Sequence, residues 1–74
     1  MKLNEMIIID ADCMYTTICY VDDNGLKQGE ANFYDEKGNH FATQYYIDDN
    51  IRIGEKAITK EDYKNHLINK RYKQ

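Results

Sequence analysis

The sequence has no proline, two cysteines (Cys13 and Cys19) and two histidines (His40 and His66). Two cysteines are too few for the disulfide-dense scaffold that supports many small secreted domains, so both read as free thiols in a reducing cytoplasm. With so little histidine, no nucleophile, base and orienting group stand at a credible spacing. Glycine-rich phosphate loops are also missing. The apolar run near the amino end, Met6 to Ile9, is too short for a signal core or a membrane span. These absences predict a cytoplasmic, non-enzymatic chain with no cofactor and no membrane contact.

Seventy-four residues make one domain, 1–74. A chain of this size buries a modest share of its surface. With no disulfide to staple it, and with sheet edges to cover, it is expected to form a homodimer.

Charge is what the chain does have, and it is unevenly divided. Residues 5–55 carry eleven acids against Lys27, Lys37 and Arg52, a net of −8. Residues 56–74 carry six bases against Glu61 and Asp62, a net of +4, and Lys2 brings the whole to −3. An acidic body with a basic tail sets up a long-range field that selects partners by sign.

The acids recur in a pattern. Tyr20-Val21-Asp22-Asp23, Phe33-Tyr34-Asp35-Glu36 and Tyr46-Ile47-Asp48-Asp49 each run from strand-forming residues into an acidic pair. Asn24-Gly25 predicts a two-residue hairpin turn, and Lys37-Gly38-Asn39 a longer loop. Strands are expected over 6–10, 14–21, 29–34, 40–47 and 50–53. In the fourth, alternation puts Phe41, Thr43, Tyr45 and Ile47 on one face. The second is apolar on both faces, as a central or covered strand would be. Thr59 reads as a helix cap, with Glu61 and Asp62 in the first turn and Ile58 and Tyr63 as a hydrophobic staple. Tyr63 and Leu67 then face the sheet with Ile68 beside them. The fold class is α+β: an antiparallel sheet of four to five strands with one C-terminal helix. Successive meander turns alternate ends, so Asp22/Asp23 and Asp48/Asp49 should share one end and Asp35/Glu36 take the other.

Four constellations bear on chemistry. Ile7-Ile8-Ile9-Asp10-Ala11-Asp12 places two carboxylates on one side of a strand end, a start for a magnesium site. It resembles the opening strand of phage-type 5′ nucleases and, with Tyr15 to Val21, the first hairpin of the actin and Hsp70 ATPases. Ala11-Asp12-Cys13-Met14 lacks the glycine of the ATPase loop, and the further nuclease carboxylates have no place in so short a chain. A buried strand ending in a polar turn accounts for the segment better, and a metal-dependent nuclease or nucleotide-binding fragment on Asp10 and Asp12 is the alternative. Cys13, Cys19, His40 and His66 lack the paired spacing of a zinc site. Lys64, Lys70, Arg71 and Lys73, with Tyr63 and Tyr72 interleaved, suit phosphate contact and stacking. The −8 body opposes a polyanion, so direct nucleic-acid binding is disfavoured. Gln28 to Tyr34 loosely matches the sliding-clamp-binding peptide but reads as a strand.

A compact body with carboxylates spaced along its turns presents a field like that of a phosphate backbone, and so suits a basic DNA-binding protein. In length and general character the chain resembles small early bacteriophage proteins that disable host machinery, and more narrowly phage-encoded inhibitors of the bacterial DNA polymerase sliding clamp. The resemblance implies a non-enzymatic protein in the host bacterial cytoplasm that enters the clamp's positively charged channel and excludes DNA. Asp22, Asp23, Asp35, Glu36, Asp48 and Asp49 are then the residues expected to face the basic wall.

Overall fold

The computed structural model describes residues 2–72, leaving aside the side chains of residues 71 and 72. Four seven-residue strands form an antiparallel meander in the order β1-β2-β3-β4: β1 (Asn4–Asp10), β2 (Tyr15–Val21), β3 (Gly29–Asp35) and β4 (His40–Tyr46). A separate two-stranded hairpin follows, β5 (Arg52–Ile53) with β6 (Lys56–Ala57). Helix α1 (Lys60–Tyr72) packs on β3 and β4. The α+β architecture is as expected. The fifth strand is not part of the main sheet, because Asp48 and Asp49 turn the chain away into its own hairpin.

Hairpin chemistry explains the meander. Asp22 and Asp35 open two loops of the same build. In each, the aspartate N–H donates to the carbonyl four residues on, and a glycine N–H donates back to the aspartate carbonyl. Gly25 and Gly38 close these loops at positive φ (80° and 84°), where a side chain would be strained. Asn24-Gly25 is therefore part of a three-residue loop and not the two-residue turn anticipated. The two-residue turn with both centres at positive φ is made instead by Asp48 (50°) and Asp49 (69°), flanked by the Ile47–Asn50 bridge.

One face of the sheet meets the helix. Register places Thr17 and Cys19 of β2 and Gly29 and Ala31 of β3 there, and all four are buried. Gly29 lies directly under the Tyr63 ring: a Cβ at that position would stand 3.1 Å from it. Thr59 caps α1 reciprocally with Asp62. The Asp62 N–H donates to Thr59 Oγ1 (3.1 Å) and the Thr59 N–H to Asp62 Oδ2 (2.9 Å). Ile58 is buried beside this cap. Ile68 does not join Tyr63 and Leu67 inside; it is 48% exposed.

The helix covers the Gly29 end of its face only. At the other end Tyr15, Phe33 and Phe41 cluster with ring centroids 5.9–6.4 Å apart. Phe41 was expected with Thr43 and Tyr45. The register between β3 and β4 shifts after Phe33, where Ala42 pairs Phe33 and His40 pairs Tyr34. Phe41 is the extra residue of that bulge and turns toward the helix side, which reverses its alternation. Strand β1 was read as buried. It is an edge strand, with Ile7 57% and Ile9 76% exposed. Strand β2 is central, as its two apolar faces implied.

Gly29→Ala should cost about 2 kcal/mol, because positive φ and the Tyr63 contact act together. Gly25→Ala, strained but free of neighbours, should cost less. Urea unfolding of both variants, compared at constant m-value, checks the order.

Candidate acidic recognition surface

Strand direction gathers the acids at two ends. Asp22, Asp23, Asp48 and Asp49 meet at one end, as the meander predicts. The link between them is Gln28, a residue with no role in the sequence reading beyond a discarded peptide motif. Its side chain is 1% exposed. Gln28 Nε2 donates to Asp22 Oδ2 (3.0 Å) and to Asp48 Oδ1 (2.6 Å), while Gln28 Oε1 accepts from the Asp48 N–H (3.1 Å). One amide thus holds two carboxylates whose repulsion would otherwise splay the loops. Asp49 adds a second clasp. Its Oδ1 accepts the Lys27 N–H (2.6 Å) and its own N–H donates to the Lys27 carbonyl (3.0 Å).

Asp35 and Glu36 lie at the opposite end. Asp10 joins them there, since Asp10 pairs with Tyr15 and Tyr15 with Asp35. The anticipated division of the three pairs between the ends holds, and the β1–β2 turn adds a further acid that alternation alone did not place.

Within the first two pairs the carboxylates divide their roles. Asp22 Oδ1 accepts the N–H groups of Asn24 (2.9 Å) and Leu26 (3.0 Å). Asp35 Oδ1 accepts those of Lys37 (2.9 Å) and Asn39 (2.8 Å). The first acid locks its loop, and the second, Asp23 or Glu36, is exposed. Both locking groups sit below the ordinary carboxylate range. For Asp22 the main cause is the Leu26 N–H, followed by the Gln28 amide. For Asp35 it is the Asn39 N–H. The hydrogen-bond donors are neutral, so they fix the charge in place without cancelling it, and Lys70 adds only a smaller attraction at Asp22.

The metal reading fares less well. Asp10 Oδ1 accepts the N–H groups of Asp12 and Cys13, both at 3.0 Å, so this carboxylate folds back onto its own turn. Among the described residues no three of His, Cys, Asp and Glu gather in a way that would hold an ion. Cys13 is exposed and Cys19 buried, both as free thiols. His40 contacts Thr43 Oγ1 at 2.8 Å on the sheet face away from α1, while His66 lies on α1. Burial raises the Cys19 thiol.

In the basic tail, Tyr63 is held over Gly29 and is not free to stack on a base. Lys64 and Lys70 are exposed, and Lys73 lies outside the described residues. Among the described residues no helix is long and apolar enough to cross a membrane. Comparison with protein-family models, with curated proteins and with solved structures finds no match to this chain.

Depressed folded values for Asp22 and Asp35 add stability above the unfolded carboxylate value. That stability disappears as pH falls through the folded values, below about 4. Gln28→Glu should reverse this locally. A carboxylate buried at this position beside Asp22 and Asp48 would be held protonated, so its penalty should be largest at neutral pH and shrink on acidification. Thermal midpoints of both proteins between pH 7 and pH 3 should converge.

Proposed function

We propose that this chain is an acidic inhibitor that occupies the DNA-contacting surface of a basic protein, and that its partner is the bacterial sliding clamp, whose DNA channel it fills. The observation that carries the reading is the fixed geometry of the charge. Carboxylates stand at both ends of a 43 × 27 × 17 Å body, each of the locking groups held by neutral N–H donors. A preorganised array of this kind loses little freedom on docking and keeps an attraction for lysine and arginine. The resemblance to phage clamp inhibitors names the partner; the electrostatics name its class. Direct DNA binding fits less well, because the same array repels phosphate.

A homodimer is part of this proposal. Among the described residues few side chains are buried, and β1 leaves its outer edge unpaired with Ile7 and Ile9 uncovered. Antiparallel pairing of two β1 strands about Ile7 would set Asn4 opposite Asp10 and Met6 opposite Ile8. It keeps like charges apart and joins the two acidic bodies in one eight-stranded sheet.

Binding to purified clamp should weaken steeply with added salt, and primed DNA should compete. Asp23→Lys with Glu36→Lys should weaken the complex by about tenfold or more at low salt, with the thermal midpoint little changed, because neither side chain holds a loop. No binding at low salt, or clamp loading onto DNA undisturbed by a saturating amount of the protein, would reject the proposal. Sedimentation at micromolar concentration should give a dimer, and Ile7→Lys with Ile9→Lys should give a monomer. A wild-type monomer would remove the dimer from the proposal and leave the charge argument standing.

A further inference from the structure

The part of the sheet face that α1 leaves uncovered ends in a row of three paired residues. Asp10 pairs with Tyr15 and Tyr15 with Asp35, so the Tyr15 ring stands on the helix side with an aspartate on either flank. Neighbouring strands lie about 4.8 Å apart, which sets the two aspartate backbones roughly 10 Å from each other. One rung further in, Ile8 pairs with Thr17 and Thr17 with Phe33. Phe33 and Phe41 complete a cluster with Tyr15, in which Tyr15 and Phe41 meet edge to face at 6.3 Å.

This cluster is not a closed core. Phe41 is 58% exposed, and Ile8 and Met14 are exposed with it. A specific device puts Phe41 there. The bulge after Phe33 turns it onto this face, where plain alternation would have kept it with Thr43 and Tyr45. Large apolar side chains exposed together and rimmed by charge mark an interaction surface. The rim here is acidic: Asp10, Asp12, Asp35 and Glu36 lie at this end, against Lys37 as the one base of its two loops.

We propose that this patch is the contact through which the chain holds its basic partner, and that its occupant is an arginine side chain bracketed by aliphatic residues on that protein's surface. The guanidinium lies on the Tyr15 ring between Asp10 and Asp35, and the aliphatic neighbours cover Phe41 and Ile8. Charge complementarity selects this occupant. A second copy of the chain, brought face to face here, would set four acids against the same four. A nucleic acid would find rings to stack on, but its phosphates would meet the same rim. A neutral apolar segment would gain nothing from the rim.

Arginine fits the local chemistry better than lysine. Its flat guanidinium stacks on an aromatic face while its edge donates to carboxylates. Both aspartates retain an acceptor for it. The turn after Asp10 uses Oδ1 alone, and Oδ2 of Asp35 has a long contact, 3.4 Å from Asn39 Nδ2. The bonds to each Oδ1 hold the carboxylates in place before a partner arrives, which lowers the cost of ordering them. This contact rests on the reading of a basic protein partner and names the end of the sheet that meets it. Its test needs no clamp, so the two fail separately.

The test titrates the full, isotopically labelled chain with the peptide acetyl-Gly-Leu-Arg-Leu-Arg-Gly-amide, and with versions carrying serine for leucine or lysine for arginine. The leucine–arginine peptide should bind about tenfold more tightly than the serine version and about threefold more tightly than the lysine version. Its arginine side-chain protons should move upfield, as protons over an aromatic ring do, and amide resonances of residues 8–15 and 33–41 should shift. Phe41→Ser, at an exposed position, should remove the preference for leucine over serine. Asp10→Asn with Asp35→Asn keeps an acceptor for each loop and should weaken both arginine peptides about tenfold. Equal affinities for the leucine and serine versions, shifts confined to residues 22–28 and 47–50, tighter binding of oligothymidylate at the patch, or self-association that Phe41→Ser abolishes would each overturn the assignment. The expected peptide results from a chain that ignores the clamp would keep this contact and reject only the clamp as its partner.

Discussion

A carboxylate accepting hydrogen bonds from neutral N–H groups is the interaction on which this molecule turns. It occurs at Asp10, Asp22 and Asp35, each bonded to two backbone N–H groups of its own loop. It recurs at Asp48 and Asp49, which reach across to Gln28 and Lys27. The bond does two things at once. It closes the hairpins that define the meander, and it fixes negative charge at the ends of the sheet without neutralising it. An asparagine in the same place could accept the same N–H groups and close the loop, but it would carry no charge and leave no field. Architecture and electrostatics therefore share one cause in this chain.

The second constraint is coverage. One helix of thirteen residues lies over a four-stranded sheet, and it reaches only the Gly29 end of one face. The Tyr15–Phe33–Phe41 cluster is left at the far end of that face. On the opposite face a hydrogen-bonded ladder stands uncovered. His40 Nε2 contacts Thr43 Oγ1, whose hydroxyl donates to Asn32; the Asn32 amide and the Tyr45 hydroxyl both donate to Glu30. These bonds hold Glu30 below the ordinary carboxylate range, the Asn32 amide most of all. Beside the ladder, Ile7 and Ile9 project from an unpaired edge. A fold that buries so little of its apolar surface gains from association, which ties the dimer proposal to the shape of the monomer.

Much of this was legible along the chain, for identifiable reasons. An acid pair following a β-branched or aromatic stretch marks a strand end, because strand propensity stops where a side chain begins to bond its own backbone. Thr59 with Asp62 announces a helix start for the same reason. The candidate surface was legible to the level of which pairs share an end. What each carboxylate does was not. Asp22 and Asp23 look alike as letters, yet one is committed to Leu26 and Gln28 and the other faces water. Gln28 itself carried no signal, since a glutamine is ordinarily a surface residue and nothing local says that this one is buried. Phe41 was misplaced because a bulge is set by pairing between strands and leaves no mark in alternation.

The order of residues by itself determined the local conformations: four strands, the positions of their turns, the capped helix and the sign of the charge. Each follows from bonds between residues only a few positions apart. Tertiary structure alone decided that Gln28 joins the Asp22 loop to Asp48, that Ile7 and Ile9 lie on an open edge, and that Asp62, Asn65, His66 and Asn69 line a cleft. Those facts depend on contacts between segments some twenty or more residues apart, such as Gln28 with Asp48 and Gly29 with Tyr63. Such contacts exist only once the sheet has brought its loops together.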